Sequence, residues 1–272
     1  MAEQTQQHRY EPADIMGGLY GDGIIGLKGA FSREWVARMR EDIETLFAEA
    51  RKVEGGALPR GPERWYVEVH PERVRGFVDI ATHPWFVAVC ETVLGPDYRI
   101  VEVGFDIPFP GAADQPWHRD FVVPDATTKG RRLNSLAFNL TAVDTVPEMG
   151  PFEIALGTQW DQFEGCPRGM FPPREHWARY VARAVPKMPK MGDISARSAL
   201  TIHRGTPNRT DTPRPMVVMG YVMHWLHTPN VDLTFPRGYH ESLPEPTRRR
   251  LRCQVVDELP AERVETYLEF KH

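Results

Sequence analysis

The chain has 272 residues, 41% hydrophobic and 26% charged, with a net charge of −4. That composition suits a globular protein with its own core and excludes disordered and fibrous classes. It carries no basic surplus for nucleic acid or an anionic membrane, and no apolar run long enough to cross one. Cys90, Cys166 and Cys253 are far apart and odd in number, so free thiols of a reducing cytoplasm are expected. The polar N-terminus, residues 1–9, has no apolar stretch of the signal-peptide kind. No repeat, low-complexity tract or long linker divides the chain, so one domain over residues 1–272 is expected.

Residues 1–13 are polar and expected to be loose. Gly21 to Leu27 is a short apolar run among glycines and predicts an early strand. Its glycines lack the spacing of a nucleotide-binding loop. Ser32 is an N-cap candidate. Trp35, Met39, Ile43, Leu46, Phe47 and Ala50 then recur at helical spacing up to Arg51-Lys52. Residues 55–63 form a Gly/Pro loop, and Arg64 to Val69 reads as a strand or a loop wall. His83-Pro84 opens a second helix, with His83 as cap, and Gly95 closes it.

After Gly95 the pattern becomes β-branched and aromatic. Strands are expected over Tyr98–Ile107, Asn134–Val143, Pro151–Gly157, Gly192–His203 and Met216–His224. A helix is expected from Pro172 to Ala184, and two more at 246–256 and 260–269. Many short strands between Gly/Pro turns, flanked by helices and without βαβ alternation, predict a sandwich, jelly roll or barrel. The β-helical core is placed at about 95–225.

The chemistry sits in Gln115-Pro-Trp-His-Arg-Asp-Phe121. In an extended chain residues i and i+2 share a face, so His118 and Asp120 can offer two ligands to one metal. Two His and one carboxylate, with positions left open, suit non-haem Fe(II). Among the other histidines, His203 is the candidate third ligand, because it ends a predicted strand before the turn-rich loop Arg204–Arg214. Arg214 stands eleven residues beyond His203. Its planar fork can take a carboxylate bidentately. A dicarboxylate co-substrate could meet the metal at one end and Arg214 at the other, if 203 and 214 lie on neighbouring antiparallel strands. Arg119 should point away from the metal, towards an ion pair or the cavity mouth. Asp193 reads as a turn residue. Trp117, Phe121, Tyr66, Trp160, Tyr221, Met223 and Trp225 are core residues before they are pocket residues. The runs Arg131-Arg132 and Arg248-Arg249-Arg250 read as solvated faces.

Pro-Trp-His118-Arg-Asp120, Glu148-Met-Gly-Pro-Phe-Glu-Ile-Ala-Leu-Gly-Thr158, Gly192-Asp193 and His203-Arg-Gly-Thr-Pro-Asn208 with Arg214 resemble, in this order, the phytanoyl-CoA dioxygenase family of Fe(II)/2-oxoglutarate oxygenases. The resemblance spans about residues 80–225. It implies a mainly β protein with flanking helices, a double-stranded β-helix of the cupin-like jelly-roll kind. It implies Fe(II) on His118, Asp120 and His203, 2-oxoglutarate on Arg214 with Asn139 beside it, and O2 as oxidant. The expected reaction is hydroxylation of a C–H bond in a small-molecule substrate, with succinate and CO2 released. Desaturation, epimerisation or cyclisation are the alternatives, as is a non-oxygenase cupin-like metalloenzyme. Related halogenases place Gly or Ala at the carboxylate position, so Asp120 argues for hydroxylase-type chemistry. Two positions depart from the family pattern. Gln159 stands where a His is usual, and Gly205 where a Ser is common.

Overall fold

The computed structural model describes residues 10–163, 169–223 and 233–261. Helices α1 (Pro12–Gly21), α2 (Arg33–Ala50), α3 (Phe77–Ala81) and α4 (Pro84–Leu94) precede or interleave with the first strands. The strands are β1 (Ile24–Leu27), β2 (Leu58–Pro59), β3 (Arg64–Glu68), β4 (Arg99–Pro108), β5 (Ser135–Thr141), β6 (Phe152–Ala155), β7 (Ala184–Lys187), β8 (Ile194–Ser198), β9 (His203–Gly205), β10 (Met216–Val222), β11 (Leu233–Pro236) and β12 (Cys253–Val256). Seven of them form one antiparallel sheet in the order β1-β8-β5-β10-β4-β3-β2, and β7-β6-β9 form a smaller one. Among the described residues no strand pairing joins the two sheets, so the β-helix stays open and is no closed barrel. Strands β11 and β12 make a separate parallel pair.

The two faces of the large sheet differ because side chains alternate along each strand. Val103, Phe105 and Ile107 of β4, with Phe138 and Leu140 of β5 and Val217, Met219 and Tyr221 of β10, are buried in the main core. Helices α2 and α4 cover that face. Phe86 of α4 stacks on Phe138 at 4.3 Å between ring centres, and Tyr221 meets Phe138 edge-on at 4.8 Å. Met223 joins the same core, so Tyr221 and Met223 turn away from the cavity side. The opposite face carries Tyr66 of β3, Glu102, Gly104 and Asp106 of β4, Ala137 and Asn139 of β5, and Ser195 and Arg197 of β8. A bulge at Val101 keeps this alternation in step, because Gly220 pairs with Glu102 and Tyr221 with Ile100.

Helix α2 forms where its stripe predicts. Ser32 accepts a hydrogen bond from the Trp35 backbone N–H at 3.2 Å, and Met39, Ile43, Leu46 and Ala50 are buried. His83 caps α4 through the Trp85 N–H, Pro84 takes the first helical position, and Gly95 ends the helix at φ 90°.

Five expectations change. The loose stretch expected over 1–13 gives way at Pro12 to helix α1, whose Ile15 and Leu19 bury beside α4, with Pro12 in the first turn. The helix expected over 172–184 shrinks to Trp177–Val181 with one 3-10 turn before it, and Ala184 starts β7. Pro172, Pro173 and Pro186 leave little room for more. The strand expected over 192–203 is two strands in different sheets, broken at 199–202. The helix expected over 246–256 ends at Arg250, and Cys253–Val256 form β12, as their β-branched valines favour. Arg250 is buried rather than solvated, bonding Tyr98 Oη at 3.0 Å and Glu91. The helix expected at 260–269, together with Cys166, His224, Trp225 and the first nine residues, lies largely or wholly outside the described residues.

Candidate active site

The site arises from one short antiparallel pairing. The backbones of His118 and His203 exchange two hydrogen bonds of 2.9 Å, and Asp120 N–H donates to Ala199 O at 2.9 Å. Residues opposite each other across such a pair share a face, as do i and i+2 along it. His118, Asp120 and His203 therefore converge. One ligand atom from each lies within 4.8 Å of the other two. His203 Nε2 is 3.3 Å from Asp120 Oδ1, and the imidazole centres are 4.3 Å apart.

Both rings are held in one tautomer. His118 Nδ1 donates to Pro116 O at 2.9 Å and His203 Nδ1 to Thr201 O at 2.8 Å. A carbonyl only accepts, so each Nδ1 carries the proton and each Nε2 keeps a lone pair for a metal. Burial pushes the pKa of both histidines down, well down for His118, where the neighbouring His203 adds to it. Both are kept neutral, the state a metal needs. Burial alone would raise the Asp120 carboxyl. The charge of Arg197, in contact with the carboxylate, outweighs it and holds the group well below the usual carboxylate range. Arg197, on the inner face of β8, grips Asp120 Oδ2 through Nη1.

The turn that carries His203 is fixed by Thr158. Its buried hydroxyl donates to Ala155 O at 2.6 Å and accepts from Ile202 N–H at 2.8 Å. Thr158→Val keeps the volume and strands the Ile202 N–H. A buried unsatisfied donor costs about 1–3 kcal/mol, so the unfolding free energy read from urea denaturation is expected to fall by that amount. The departure at Gln159 is structural: its amide bonds the carbonyls of Leu19, Tyr20 and Gly21 and ties α1 to this turn. The departure at Gly205 also has a cause. A Cβ there would stand 2.1 Å from Arg64 Nη2, so the Arg64 guanidinium occupies the space a side chain would need.

Arg214 does not begin a strand next to that of His203. It precedes β10 in the large sheet, while β9 belongs to the small one. Both nevertheless face one interior. Arg214 is buried, its Nε bonds Gly150 O at 3.1 Å, and its Nη2 has no hydrogen-bond partner among the described residues. No described carboxylate lies within ion-pair distance of it. Burial, followed by the charge of Arg64, lowers its pKa to about 10, while Asp106 acts the other way. Asp106 itself pairs with Arg64 at 3.1 Å. Arg214 lines a cavity of about 300 Å³ together with Asn139, Thr141, Phe152, Ser195 and Met216. Asn139 Oδ1 is another buried atom without a hydrogen-bond partner among the described residues. The Phe152 ring, 5.0 Å from that of His203, connects this cavity to the three converging side chains.

Gly150 presents the carbonyl to Arg214 from a backbone φ of 73°, and a Cβ would meet Thr206 O at 2.5 Å. Left-handed backbone costs a non-glycine residue about 1–2 kcal/mol, and here backbone blocks relief. Gly150→Ala is expected to lose at least that much stability in chemical denaturation.

Arg119 is fully buried and points away from the three ligands as expected, though not to the mouth. It bonds Asp161 O at 2.9 Å and lies over the Phe163 ring at 4.1 Å. Trp117 packs near Tyr180 in a small core. Asp193 organises a turn, accepting from Gly29 and Lys190 N–H. Arg64, Phe152 and Arg197 escaped sequence reading. Their only signal was an inward register on strands whose pairing was not yet known.

The phytanoyl-CoA dioxygenase family matches residues 19–216, most of the chain. The chain belongs to that family. It is accordingly a non-haem Fe(II)/2-oxoglutarate-dependent oxygenase, using O2, and its fold agrees. The epimerase SnoN, solved with Fe3+, alpha ketoglutarate and nogalamycin RO, superposes with a TM-score of 0.62 at 19% identity over 78% of this chain and 85% of its own. The carbocyclase SnoK from nogalamycin biosynthesis gives 0.63 at 16% identity over 80% and 85%. EctD from S. alaskensis, solved with 2-oxoglutarate and 5-hydroxyectoine, gives 0.62 at 18% over 82% and 79%. At these identities the likeness carries the double-stranded β-helix fold. Among the described residues of this oxygenase, no helix is long and apolar enough to cross a membrane.

Proposed function

We propose that His118, Asp120 and His203 hold the iron, that Arg214 docks the distal carboxylate of 2-oxoglutarate with Asn139 beside it, and that the enzyme hydroxylates a C–H bond of a small organic molecule. The observation that carries this reading is the buried Arg214 guanidinium, left without a carboxylate in a cavity that borders three convergent metal-ligating side chains. A buried cation without a counter-ion is costly. A dianionic co-substrate removes that cost. The donor set, two neutral imidazoles and one carboxylate, suits divalent iron.

Iron bound with 2-oxoglutarate and O2 supplies an oxidant that removes hydrogen from a C–H bond, releasing succinate and CO2. The chain supplies geometry and dryness. The Pro116 and Thr201 carbonyls aim the two Nε2 atoms, and Arg197 fixes the Asp120 carboxylate. Arg214 presents two N–H groups of one plane to a carboxylate. The Asn139 amide, turned over, offers an N–H to the same ligand.

A second reading, desaturation, epimerisation or cyclisation begun by the same hydrogen removal, is favoured by the epimerase and carbocyclase among the neighbours. A non-oxygenase cupin-like metalloenzyme would leave the unpaired Arg214 without a purpose. The whole chain, residues 1–272, is read as one such domain acting on a small molecule in the cytoplasm. Succinate formation from 2-oxoglutarate, assayed with and without Fe(II) against a panel of small substrates, tests the reading. Iron-dependent succinate supports it; iron-independent consumption of 2-oxoglutarate overturns it.

A further inference from the structure

The register of the large sheet sets one row of inward side chains beside the proposed metal ligands. Arg197 of β8 lies opposite Ala137 of β5, Ala137 opposite Gly220 of β10, and Gly220 opposite Glu102 of β4. Adjacent strands stand about 4.8 Å apart, so the row runs roughly three strand spacings from Arg197 to Glu102 with only a methyl and a hydrogen between them. Glu102 leans into that gap. A Cβ on Gly220 would meet Glu102 Oε2 at 2.7 Å, so the carboxylate lies over Gly220 along the row. Glycine is required there for the Glu102 pose, not for backbone freedom.

Tyr66 fixes this pose. Its hydroxyl donates to Glu102 Oε1. Gly104 makes the space, since a Cβ there would stand 2.6 Å from Tyr66 Oη. Glu102 has no ion-pair partner among the described residues, and its Oε2 makes no hydrogen bond with them. A second, independent atom belongs to the same row: Arg197 is buried, and while its Nη1 holds Asp120, its Nε has no hydrogen-bond partner among the described residues. Among the described residues, the row thus leaves one carboxylate oxygen, Glu102 Oε2, and one N–H, Arg197 Nε, without a hydrogen-bond partner, and Arg197 also holds Asp120. The Arg214 cavity lies further along the sheet, in the rows of Asn139, Ser195, Thr141 and Met216.

We infer that Glu102, positioned by Tyr66, is the specificity-determining residue for the oxidised substrate, and that it takes a protonated amine of a small molecule that also bears a neighbouring hydrogen-bond acceptor for Arg197. The inference rests on the proposed oxygenase site, because Asp120 marks where oxidation would occur. Arg60 and Arg197 act on the Glu102 carboxylate from a distance, but neither forms an ion pair with it, so a carboxylate drawn from water still favours a ligand that brings a cation into contact. An ammonium matches that need. A neutral hydroxyl matches half of it, and a substrate carboxylate is repelled. The small side chain of Ala137, between Arg197 and the Glu102 carboxylate that covers Gly220, leaves the middle of the row to such a ligand.

The test uses three probes on one ring: 2-aminocyclohexanol, the matched diol and the matched hydroxy acid. Binding to the full chain loaded with Mn(II) and 2-oxoglutarate is read by saturation-transfer NMR titration, without turnover. The amino alcohol is expected to bind at least about tenfold more tightly than the diol, and the hydroxy acid not at all. Glu102→Gln keeps shape and removes charge, and is expected to abolish that preference. Tyr66→Phe, which leaves the carboxylate in place and removes its anchor, is expected to weaken amine binding severalfold. Both variants should take 2-oxoglutarate as the wild type does. Equal binding of amine and diol, or a preference that survives Glu102→Gln, overturns the Glu102 assignment while 2-oxoglutarate binding stands. Failure of the wild type to bind 2-oxoglutarate overturns the underlying site, and the assignment with it.

Discussion

Asp120→Ala is expected to abolish oxidation and to weaken Fe(II) binding by roughly 100-fold or more. Losing a partner outside the ligand shell already costs 10–100-fold in metal affinity, and Asp120 is proposed as a ligand. Its backbone would survive, since Asp120 N–H still meets Ala199 O. Stability should fall as well. Removing one member of a fully buried ion pair costs about 3–5 kcal/mol. The Arg197 side chain is 6% exposed and that of Asp120 24%, so water offsets part of the loss and the low end is expected. Asp120→Asn separates the two effects: it keeps an acceptor for Arg197 and so more of the stability, while iron binding still drops. Thermal unfolding beside metal titration reads both. Wild-type turnover in Asp120→Ala would remove the carboxylate from the iron site.

Arg214→Ala is expected to raise the 2-oxoglutarate requirement by roughly 100-fold and to change Fe(II) affinity little. A hydrogen bond to a charged group contributes about 1.5–3 kcal/mol, and a bidentate dock holds two. At 1.4 kcal/mol per tenfold, losing the pair corresponds to about two to four decades. Arg214→Lys should recover part of it, since a point charge replaces a planar fork. The effect on the apo protein should be small, because this guanidinium is buried with its Nη2 unsatisfied and one bond to Gly150 O. The stabilisation that 2-oxoglutarate gives should vanish instead. A ligand at 100 times its Kd contributes about 2.7 kcal/mol, and thermal shifts with and without 2-oxoglutarate measure it. An unchanged 2-oxoglutarate requirement would rule out the docking role.

The sequence made His118, Asp120 and His203 legible because local rules place them. Two positions apart on extended chain gives one face, and a distal His after a strand has few competing uses. Arg214 was legible for its charge, but the geometry proposed for it was not the one observed. It reaches the interior from the large sheet, and the short break at 199–202, where the chain changes sheets, hid this. The break carries Ala199, Leu200, Thr201 and Ile202, residues as fit for a strand as for a turn, so no local signal marks it. The same limit hid Arg197 and Glu102. Nothing in their neighbours along the chain announces a role; the cross-strand register does, and register is a long-range property. Helices α2 and α4 were readable from caps and stripe. The small helix α1 was missed because its apolar positions, Ile15 and Leu19, are too few to make a periodic pattern.

Iron and 2-oxoglutarate are proposed to rest on different residues of one site, and anaerobic calorimetry of both ligands on wild type, Asp120→Ala and Arg214→Ala tests that division. The predicted result is one Fe(II) and one 2-oxoglutarate on the wild type, iron lost in Asp120→Ala, and iron retained with 2-oxoglutarate lost in Arg214→Ala. Wild-type iron affinity in Asp120→Ala, or wild-type 2-oxoglutarate affinity in Arg214→Ala, would contradict it.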